Sequence, residues 1–313
     1  GNNVLIKPNM VNHYHGLGFT MDSLITNGSV IRCIIDYVII ALKGKGHIII
    51  GDAPVQSAIF NKIIEINGLN EIVRFYKDNS PGLDIKIIDF RETFVDRNSK
   101  GHIISNKKQE NVKFKYVELN KNSFFSNKMR EKFVVADYPE EAMKKYHKEN
   151  SHKYLVPDCL LDADVIINIP KPKTHRYSGI TGAMKNFIGI NSQKENLPHY
   201  TRGSINKSGD EFPIKNIRKN LVGNLSNIIT KMGRNNLYFA SLPFFALRKV
   251  LILSLPKDEI YRGTWYGNDT MWRTILDVNR LVLYSNKEGV ITNSRNRIVF
   301  TVLDAVIVGE KDG

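Results

Sequence analysis

The chain alternates between short runs of apolar residues and longer stretches in which apolar residues recur every three or four positions. Short apolar runs that end abruptly in polar residues are typical of strands buried in a parallel sheet, whereas the longer period is typical of amphipathic helices. We predict strands at residues 4–6, 47–50, 84–88, 165–167 and 298–303, and helices at residues 30–42 and 61–67. This alternation predicts an α/β fold with an open, mostly parallel, doubly wound sheet.

Two stretches interrupt this pattern, and we interpret them as insertions into a single α/β domain that spans residues 1–313. Residues 93–122 are rich in lysine and contain short alternating apolar pairs, which predicts an antiparallel hairpin on the edge of the sheet. Residues 191–217 contain Gly, Ser, Asn and Pro without apolar periodicity, which predicts a mobile loop that closes over a ligand as a lid. The second insertion, residues 191–262, would consist of this loop and an apolar helical pair.

The most apolar stretch, residues 237–255, is interrupted by Pro243 and by Arg248-Lys249. A bilayer-spanning helix needs about 20 uninterrupted apolar residues, so we expect no membrane span here. Two interpretations stay open: a helical pair buried in the protein, which we favour, and a peripheral hairpin that contacts a membrane. We therefore expect a cytoplasmic protein, and contact with the inner membrane through residues 237–255 is an open alternative.

The balance of positive and negative residues bears on the kind of molecule that the protein binds. The 45 Lys and Arg residues outnumber the 31 Asp and Glu residues, which gives a formal net charge of +14. A basic balance is typical of proteins with anionic partners, but chains rich in Lys, Asn and Ile are also basic without such a partner. No motif or series of aromatic residues accompanies the charge, so we expect no nucleic-acid partner. The two cysteines, Cys33 and Cys159, are too few for a disulfide framework or a cysteine-ligated iron–sulfur cluster.

Polar side chains follow the predicted strands at the points where the strands end. In open parallel sheets, ligands bind outside the carboxyl ends of the strands, so we expect these side chains to converge on one cleft. Lys and Arg bind anionic oxygens, Asn orients a ligand, and Asp holds a cation or acts as a base. The candidates for substrate binding or catalysis are Lys7 and Asn9 after the first strand, Asp52 and Gln56 after the second, Arg91 after the third, Lys171, Lys173, Thr174 and His175 after the fourth, and Asp304 after the last.

The densest group of polar residues follows the fourth strand, in Pro170-Lys171-Pro172-Lys173-Thr174-His175 and then Gly179-Ile180-Thr181-Gly182-Ala183-Met184-Lys185-Asn186. The prolines stiffen the backbone around the lysines, and the glycines allow the backbone to approach a ligand closely. A helix that begins near Thr181 would present its N-terminus to an anion. We therefore predict a phosphate- or carboxylate-binding segment that includes Thr181, Lys185 and Asn186. Its spacing is not that of a P-loop, so an ATPase is not indicated.

Proton transfer and metal binding have candidates of their own. His175 lies among cations that would lower its pKa, so we expect it to act as general acid or base. A histidine that bonds a backbone carbonyl is the alternative. We predict that Mg²⁺ or Mn²⁺ is held by carboxylates, for which the candidates are Asp52, Asp210, Glu211 and Asp304, although structural caps and salt bridges are the commoner role of a single Asp.

Two histidines and one arginine outside these segments also bear on the site. His147 and His152 are five residues apart, which would place them on different faces of a helix and does not match a zinc motif. Arg202, in the predicted loop, would complete the clamp of cations around the substrate when the loop closes.

These segments, in this order along nearly the whole chain, resemble the domain of unknown function 362 family. They are Ile6-Lys7-Pro8-Asn9, Gly51-Asp52-Ala53-Pro54, Asn168 through His175, Gly179 through Asn186, and Asp304. Phe212 and Pro172 depart from the commoner Tyr and Leu of the family. Many relatives carry an added ferredoxin-like domain with four-cysteine clusters, which this chain lacks, so an iron–sulfur cluster is not expected.

Further blocks resemble the branch of that family found among bacterial surface-polysaccharide biosynthesis genes. They are Leu197-Pro198-His199, Gly209-Asp210-Glu211, and Asp269-Thr270-x-Trp272-Arg273 through Asn279-Arg280, and Arg280 thereby joins the expected substrate-binding residues. The resemblance implies an enzyme that acts on an anionic sugar, nucleotide-sugar or phosphorylated intermediate of envelope polysaccharide synthesis. The alternative is a non-catalytic protein that binds an acidic polysaccharide or a lipid-linked precursor.

Overall fold

The computed structural model describes residues 2–97, 103–126, 132–135, 138, 141–148, 150–214, 217–235, 237–255 and 262–310. In chain order its elements are β1 (Asn3–Pro8), α1 (Gly28–Ala41), β2 (Gly46–Asp52), α2 (Phe60–Ile66), α3 (Leu69–Asn79), β3 (Leu83–Asp89), β4 (Thr93–Arg97), β5 (Ile103–Lys108), β6 (Phe114–Glu118), β7 (Phe133–Val134), α4 (Glu141–Tyr146), β8 (His147–Lys148), β9 (Ser151–Pro157), α5 (Asp158–Asp162), β10 (Val165–Ile169), β11 (Lys173–His175), β12 (Gly179–Thr181), α6 (Ala183–Asn186), β13 (Tyr200–Thr201), α7 (Ile217–Arg234), α8 (Tyr238–Leu253), α9 (Met271–Tyr284) and β14 (Ile298–Thr301). All the predicted strands and both predicted helices are present.

A five-stranded parallel sheet in the order β14-β10-β1-β2-β3 forms the centre of the molecule. Side chains of a strand alternate between its two faces, and both faces of this sheet are apolar. Val4 and Ile6 pack with residues of α1 and α3, whereas Leu5 packs on the other face with residues of α5 and α9. Helices on both faces confirm the predicted doubly wound α/β architecture.

The predicted hairpin at residues 93–122 is correct only in its first half. β4 and β5 pair antiparallel, but they form a sheet of their own and have no ladder with the described strands of the central sheet. β6 pairs instead with the distant strand β9, with Tyr116 opposite Leu155. This pairing buries Val117 in the apolar core that also contains Leu5, on the side of the sheet covered by α5 and α9. Residues 98–102, which the prediction also covers, lie outside the described residues.

The segment that we predicted as a mobile lid is packed into the protein over most of its length. Asn191, Asn196 and Tyr200 are buried, and the backbone amide of Ser192 donates to the carbonyl of Leu155 at 2.7 Å. Buried side chains and backbone hydrogen bonds of this kind oppose the local opening of a segment. The expected lack of buried anchors is therefore wrong for residues 191–214, and residues 215–216 lie outside the described part. Closure of this segment over a ligand stays a prediction.

The apolar run at residues 237–255 forms α8, which packs against α7 as a helical pair. Our preference for a buried pair is wrong. Ser241 is the only buried residue of α8, and Phe239 and Leu253 are 82% and 76% exposed. Among the described helices, none is long and apolar enough to cross a membrane.

Helix α1 begins where the side chain of Asn27 accepts a hydrogen bond from the amide of Ser29, and its first residue touches the turn after α2. A Cβ on Gly28 would lie 1.8 Å from the carbonyl oxygen of Asn67. We expect Gly28→Ala to lower the free energy of unfolding by about 1–3 kcal/mol, because backbone must move to make room. Chemical denaturation measures the change.

Gly16→Ala is the matched control, because a Cβ there meets nothing within 4 Å. We expect the control to stay within about 0.5 kcal/mol of the wild type. Equal stability of the two variants would contradict the packing of α1 against the turn after α2.

Candidate functional site

A cleft of about 690 Å³ opens at the carboxyl ends of β1 and β2, where the chain after β10 folds back over the sheet. This is the position at which open parallel sheets bind ligands. The predicted residues that line the cleft are Asn9, Asp52, Lys173, His175, Thr181, Lys185 and Asn186. They come from three separate segments of the chain, so the expected convergence is observed for this subset.

The segment rich in Lys and Gly after β10 folds as a hairpin, in which β11 and β12 pair antiparallel. The register places Lys173 opposite Thr181, and both residues are buried. His175 lies two residues from Lys173 and shares its face, whereas the intervening Thr174 is exposed and is not part of the cleft wall. Gly179 closes the turn with a φ of +74°, a conformation that favours glycine.

A buried ion pair joins the ends of the two central strands at the wall of the cleft. The Nζ of Lys7 lies 2.8 Å from Oδ1 of Asp52 and also donates to the carbonyl of Pro8. The carboxylate of Asp52 further accepts hydrogen bonds from the amides of Met10 and Ala53. Burial lowers the pKa of Lys7, and its attraction to Asp52 opposes that shift. Asp52 is therefore held rigidly by three donors.

A chain of side-chain amides connects this ion pair to the hairpin. Asn186 donates to the carbonyl of Lys7 and to Oδ1 of Asn168, and it accepts from Nδ2 of Asn9. Oδ1 of Asn9 in turn accepts from Nζ of Lys173 at 3.2 Å. These bonds fix the ammonium of Lys173. Asn186 ends α6, which has only a single turn, so lysine side chains rather than a helix N-terminus provide the positive charge of the cleft.

Lysines in the cleft are short of negative partners. Burial, with repulsion from Lys185 as a further cause, lowers the pKa of Lys173 to about 7. Burial is also the main cause that lowers the pKa of Lys185 to about 8 and of Lys194 to about 7. Asp52 is the single carboxylate of the cleft wall within the described residues, and it is already paired with Lys7. Lys185 has neither a hydrogen bond nor an ion pair with any described residue.

Sequence reasoning did not select Lys194 as a site residue, because it follows no strand. It reaches the cleft from the segment after α6, and its Nζ lies 3.4 Å from the carbonyl oxygen of Ile188.

Two histidines face the cleft with opposite tautomers. Nδ1 of His175 accepts the amide hydrogen of Tyr177 at 3.1 Å, so the neutral ring carries its hydrogen on Nε2. Nδ1 of His199 donates to the carbonyl of Leu197 at 2.7 Å, so Nε2 of His199 holds the lone pair. Burial lowers the pKa of His199 to about 4 and that of His175 below its usual range, with nearby Lys185 as a further cause in both. The cleft thus contains one neutral donor and one neutral acceptor.

His199 was not among the predicted site residues, although the block Leu197-Pro198-His199 was one signal for it. As a neutral ring with its hydrogen on Nε2, His175 is the hydrogen-bond donor of the pair.

Other predicted site residues are engaged elsewhere. Lys171 pairs with Asp304 at 2.6 Å in a fully buried bridge, and Asp304 also accepts the amide of Asn27. Neither residue is in the wall of the cleft. Arg91 forms an ion pair with Asp89 and donates hydrogen bonds to the carbonyls of Gln56 and Ala58, which follow β2. The side chain of Gln56 donates to Oγ1 of Thr93.

The other two arginines expected to bind substrate also lie outside the cleft. Arg202 donates to Asn224 of α7. Arg280 bonds the carbonyl of Asn122 and stacks on the ring of Phe124.

The carboxylates predicted to hold a metal ion are occupied by protein donors. Asp210 accepts hydrogen bonds from Thr270 and from the amide of Asp269, and Glu211 is bridged to Arg262 at 2.6 Å. Within the described residues, no three His, Cys, Asp or Glu side chains are grouped so that they could hold a metal ion. The residues present therefore do not fit the predicted divalent cation, which stays a prediction without a ligand set.

His147 and His152 do not lie on a helix as assumed. They face each other across β8 and β9, with their Nδ1 atoms 3.1 Å apart, and His147 bonds the carbonyl of Asn196. Burial lowers the pKa of His147 to about 3 and of His152 to about 4. Phe125 and Phe133 pack against this pair, which makes it part of a core rather than a site.

Residues 93–313, more than two-thirds of the chain, match the family model described as Domain of unknown function (DUF362). The chain belongs to the DUF362 family. The matched region contains the hairpin β11–β12, Lys185, Lys194 and His199, whereas Lys7, Asn9 and Asp52 precede it. No curated protein and no solved structure matches the chain. The family description assigns no reaction to this DUF362 protein.

The Lys7–Asp52 pair makes a testable contribution to stability. We expect Lys7→Met to lower the free energy of unfolding by about 3–5 kcal/mol, because it leaves a buried carboxylate without its cation. Lys86→Met is the matched control, since the pair of Lys86 and Asp84 has a similar distance of 2.7 Å but is well exposed. We expect the control to lose less than about 1 kcal/mol. Denaturant titration measures both, and equal losses would contradict the structural role of the buried pair.

Proposed function

We propose that the cleft binds a small molecule that carries phosphate or carboxylate groups. The observation that carries this proposal is the group of Lys173, Lys185 and Lys194, for which the described residues of the cleft wall offer no free carboxylate. Each of these ammonium groups loses hydration on burial, and neighbouring cations add repulsion. A bound anion removes both penalties, so the arrangement favours an anionic ligand over a neutral one.

We further propose that the protein is an enzyme that performs acid–base chemistry on this ligand. With the anionic group on the lysines, His199 would accept a proton from the substrate at Nε2, and Nε2–H of His175 would donate a hydrogen bond to the substrate oxygen on which negative charge develops. Two histidines whose hydrogen bonds impose opposite tautomers provide both functions while neutral, so neither has to change its charge before the reaction. Asn9 and Asn186 would orient the substrate, as their bonds to Lys173 and Lys7 hold them in place.

The substrate class that we propose is a sugar phosphate, nucleotide-sugar or related anionic intermediate of bacterial envelope polysaccharide synthesis. Its support is the resemblance of the blocks Leu197-Pro198-His199 and Gly209-Asp210-Glu211 to the polysaccharide branch of the family. The first of these blocks supplies His199 to the cleft. In this proposal the protein works in the cytoplasm, where such activated sugars are made.

Anion binding is expected to weaken as the pH rises. Sulfate keeps its double negative charge between pH 6 and 9, so only the protein titrates in this range. Because the anion binds the protonated lysines, whose pKa values lie at about 7 to 8, deprotonation above pH 7 removes the binding form. We expect the dissociation constant for sulfate, measured by isothermal titration calorimetry, to rise at least about tenfold from pH 7 to pH 9.

A constant affinity over this pH range would contradict the assignment of the lysines. Lys185→Met should weaken sulfate binding at pH 7 by about tenfold or more, because a charge-assisted hydrogen bond is lost. Lys45→Met, at an exposed position distant from the cleft in the fold, should leave binding unchanged.

Turnover is the measurement that separates the enzyme from the non-catalytic binding protein. We expect a panel of nucleoside-diphosphate sugars, followed by ³¹P NMR, to contain a substrate that the wild type consumes. His199→Gln should lower the rate by about 100-fold or more while sulfate binding is retained, because the amide cannot take the proton. Sulfate binding without turnover of any member of the panel would favour a protein that binds an acidic polysaccharide or lipid-linked precursor.

A further inference from the structure

The outer face of α8 carries a row of exposed apolar side chains. Phe239, Leu242, Val250 and Leu253 recur at helical spacing on one side of the helix, and all four are exposed. Val250 is 64% exposed, between the more exposed Phe239 and Leu253. We call these four residues the α8 stripe. An apolar stripe of this length on the outside of a protein marks an interaction surface more often than a solvated one.

The α8 stripe points away from the partner helix. Arg248 lies on the opposite side of α8 and donates from Nε to Oγ of Ser226 in α7 at 2.8 Å. This bond orients α8 on α7 and leaves the stripe on the outer side of the pair. Helix α7 adds exposed apolar residues of its own at Ile217 and Leu221.

The charged residues of α7 and α8 indicate what kind of partner binds the α8 stripe. The sequence has no Asp or Glu between Glu211 and Asp258, a stretch that covers both helices. The cations of the same stretch are Lys215, Arg218, Lys219, Lys231, Arg234, Arg248, Lys249 and Lys257. Lys249 is exposed and lies seven residues after Leu242, on the same side of α8. An apolar stripe with Lys249 beside it, in a stretch of sequence without carboxylates, is complementary to a bilayer that carries negative lipid headgroups.

A second copy of the chain is a poorer fit. In a symmetric dimer each copy would bring the same cations to the interface, and no carboxylate of either helix would neutralise them. Since no described helix is able to span a bilayer, the pair would lie on the membrane surface rather than cross it. We propose that α7 and α8 dock the protein on an anionic membrane, with the α8 stripe in the headgroup region.

Vesicle flotation at 0.1 M NaCl tests this proposal with the whole protein. We expect binding to vesicles of phosphatidylcholine with an equal share of phosphatidylglycerol, and binding at least tenfold weaker to phosphatidylcholine alone. The double variant Phe239→Ser/Val250→Ser should lose at least tenfold in affinity, because two apolar side chains no longer enter the interface. Lys249→Glu should lose at least fivefold, because it reverses one charge at the membrane.

The matched controls lie on α1, away from the helical pair. Tyr37→Ser/Ile40→Ser removes side chains that are 74% and 72% exposed, and Lys45→Glu reverses a charge near the end of that helix. These variants should bind the anionic vesicles as the wild type does. All substituted side chains are exposed, and circular dichroism checks that each variant is folded.

Three results would overturn the proposal. One is wild-type affinity of Phe239→Ser/Val250→Ser for the anionic vesicles. Another is equal binding of the wild type to neutral and anionic vesicles. The third is a dimer in analytical ultracentrifugation that binds no vesicles and dissociates on substitution of the stripe, which would make this face an interface between copies of the chain.

Discussion

The buried ion pair of Lys7 and Asp52 is the contact on which the site depends. It connects the end of β1 to the end of β2, and the amides of Met10 and Ala53 donate further hydrogen bonds to the carboxylate of Asp52. Backbone packs directly on the pair, because a Cβ on Gly189 would lie 1.9 Å from Oδ1 of Asp52. A charge pair inside a protein is favourable only when its remaining hydrogen-bonding groups are satisfied. That requirement determines how the chain turns at this edge of the sheet.

The same pair sets the electrostatics of the cleft. Asp52 is already paired with Lys7, so the other lysines of the cleft wall have no free carboxylate partner within the described residues. Their lowered pKa values express this imbalance, since burial and mutual repulsion both act against the charged form. The preference for an anion therefore follows from the way in which the sheet edge is held together. The acid–base proposal adds to this the hydrogen bonds of Tyr177 and Leu197, which assign the histidine tautomers.

Much of the candidate site was predictable because it lies close to strand ends. Lys173, His175 and Thr181 follow β10 within a short segment, and a tight hairpin with the observed register brings them together. The sequence was ambiguous for residues whose chemistry allowed two roles. A carboxylate such as Asp210 suits a metal site and a backbone cap equally well, and only its distant partners Thr270 and Asp269 decide which role it has.

The sequence by itself determined the strands, the doubly wound class of fold and the excess of cations, because hydrophobic period and charge are local properties of the chain. Tertiary structure alone decided which charges are paired, as with Lys171 and Asp304, which meet only through the fold. It also decided that His199 faces the cleft and that the apolar residues of α8 face outward. These outcomes depend on contacts between residues far apart in the chain, and no local pattern records which residues will meet.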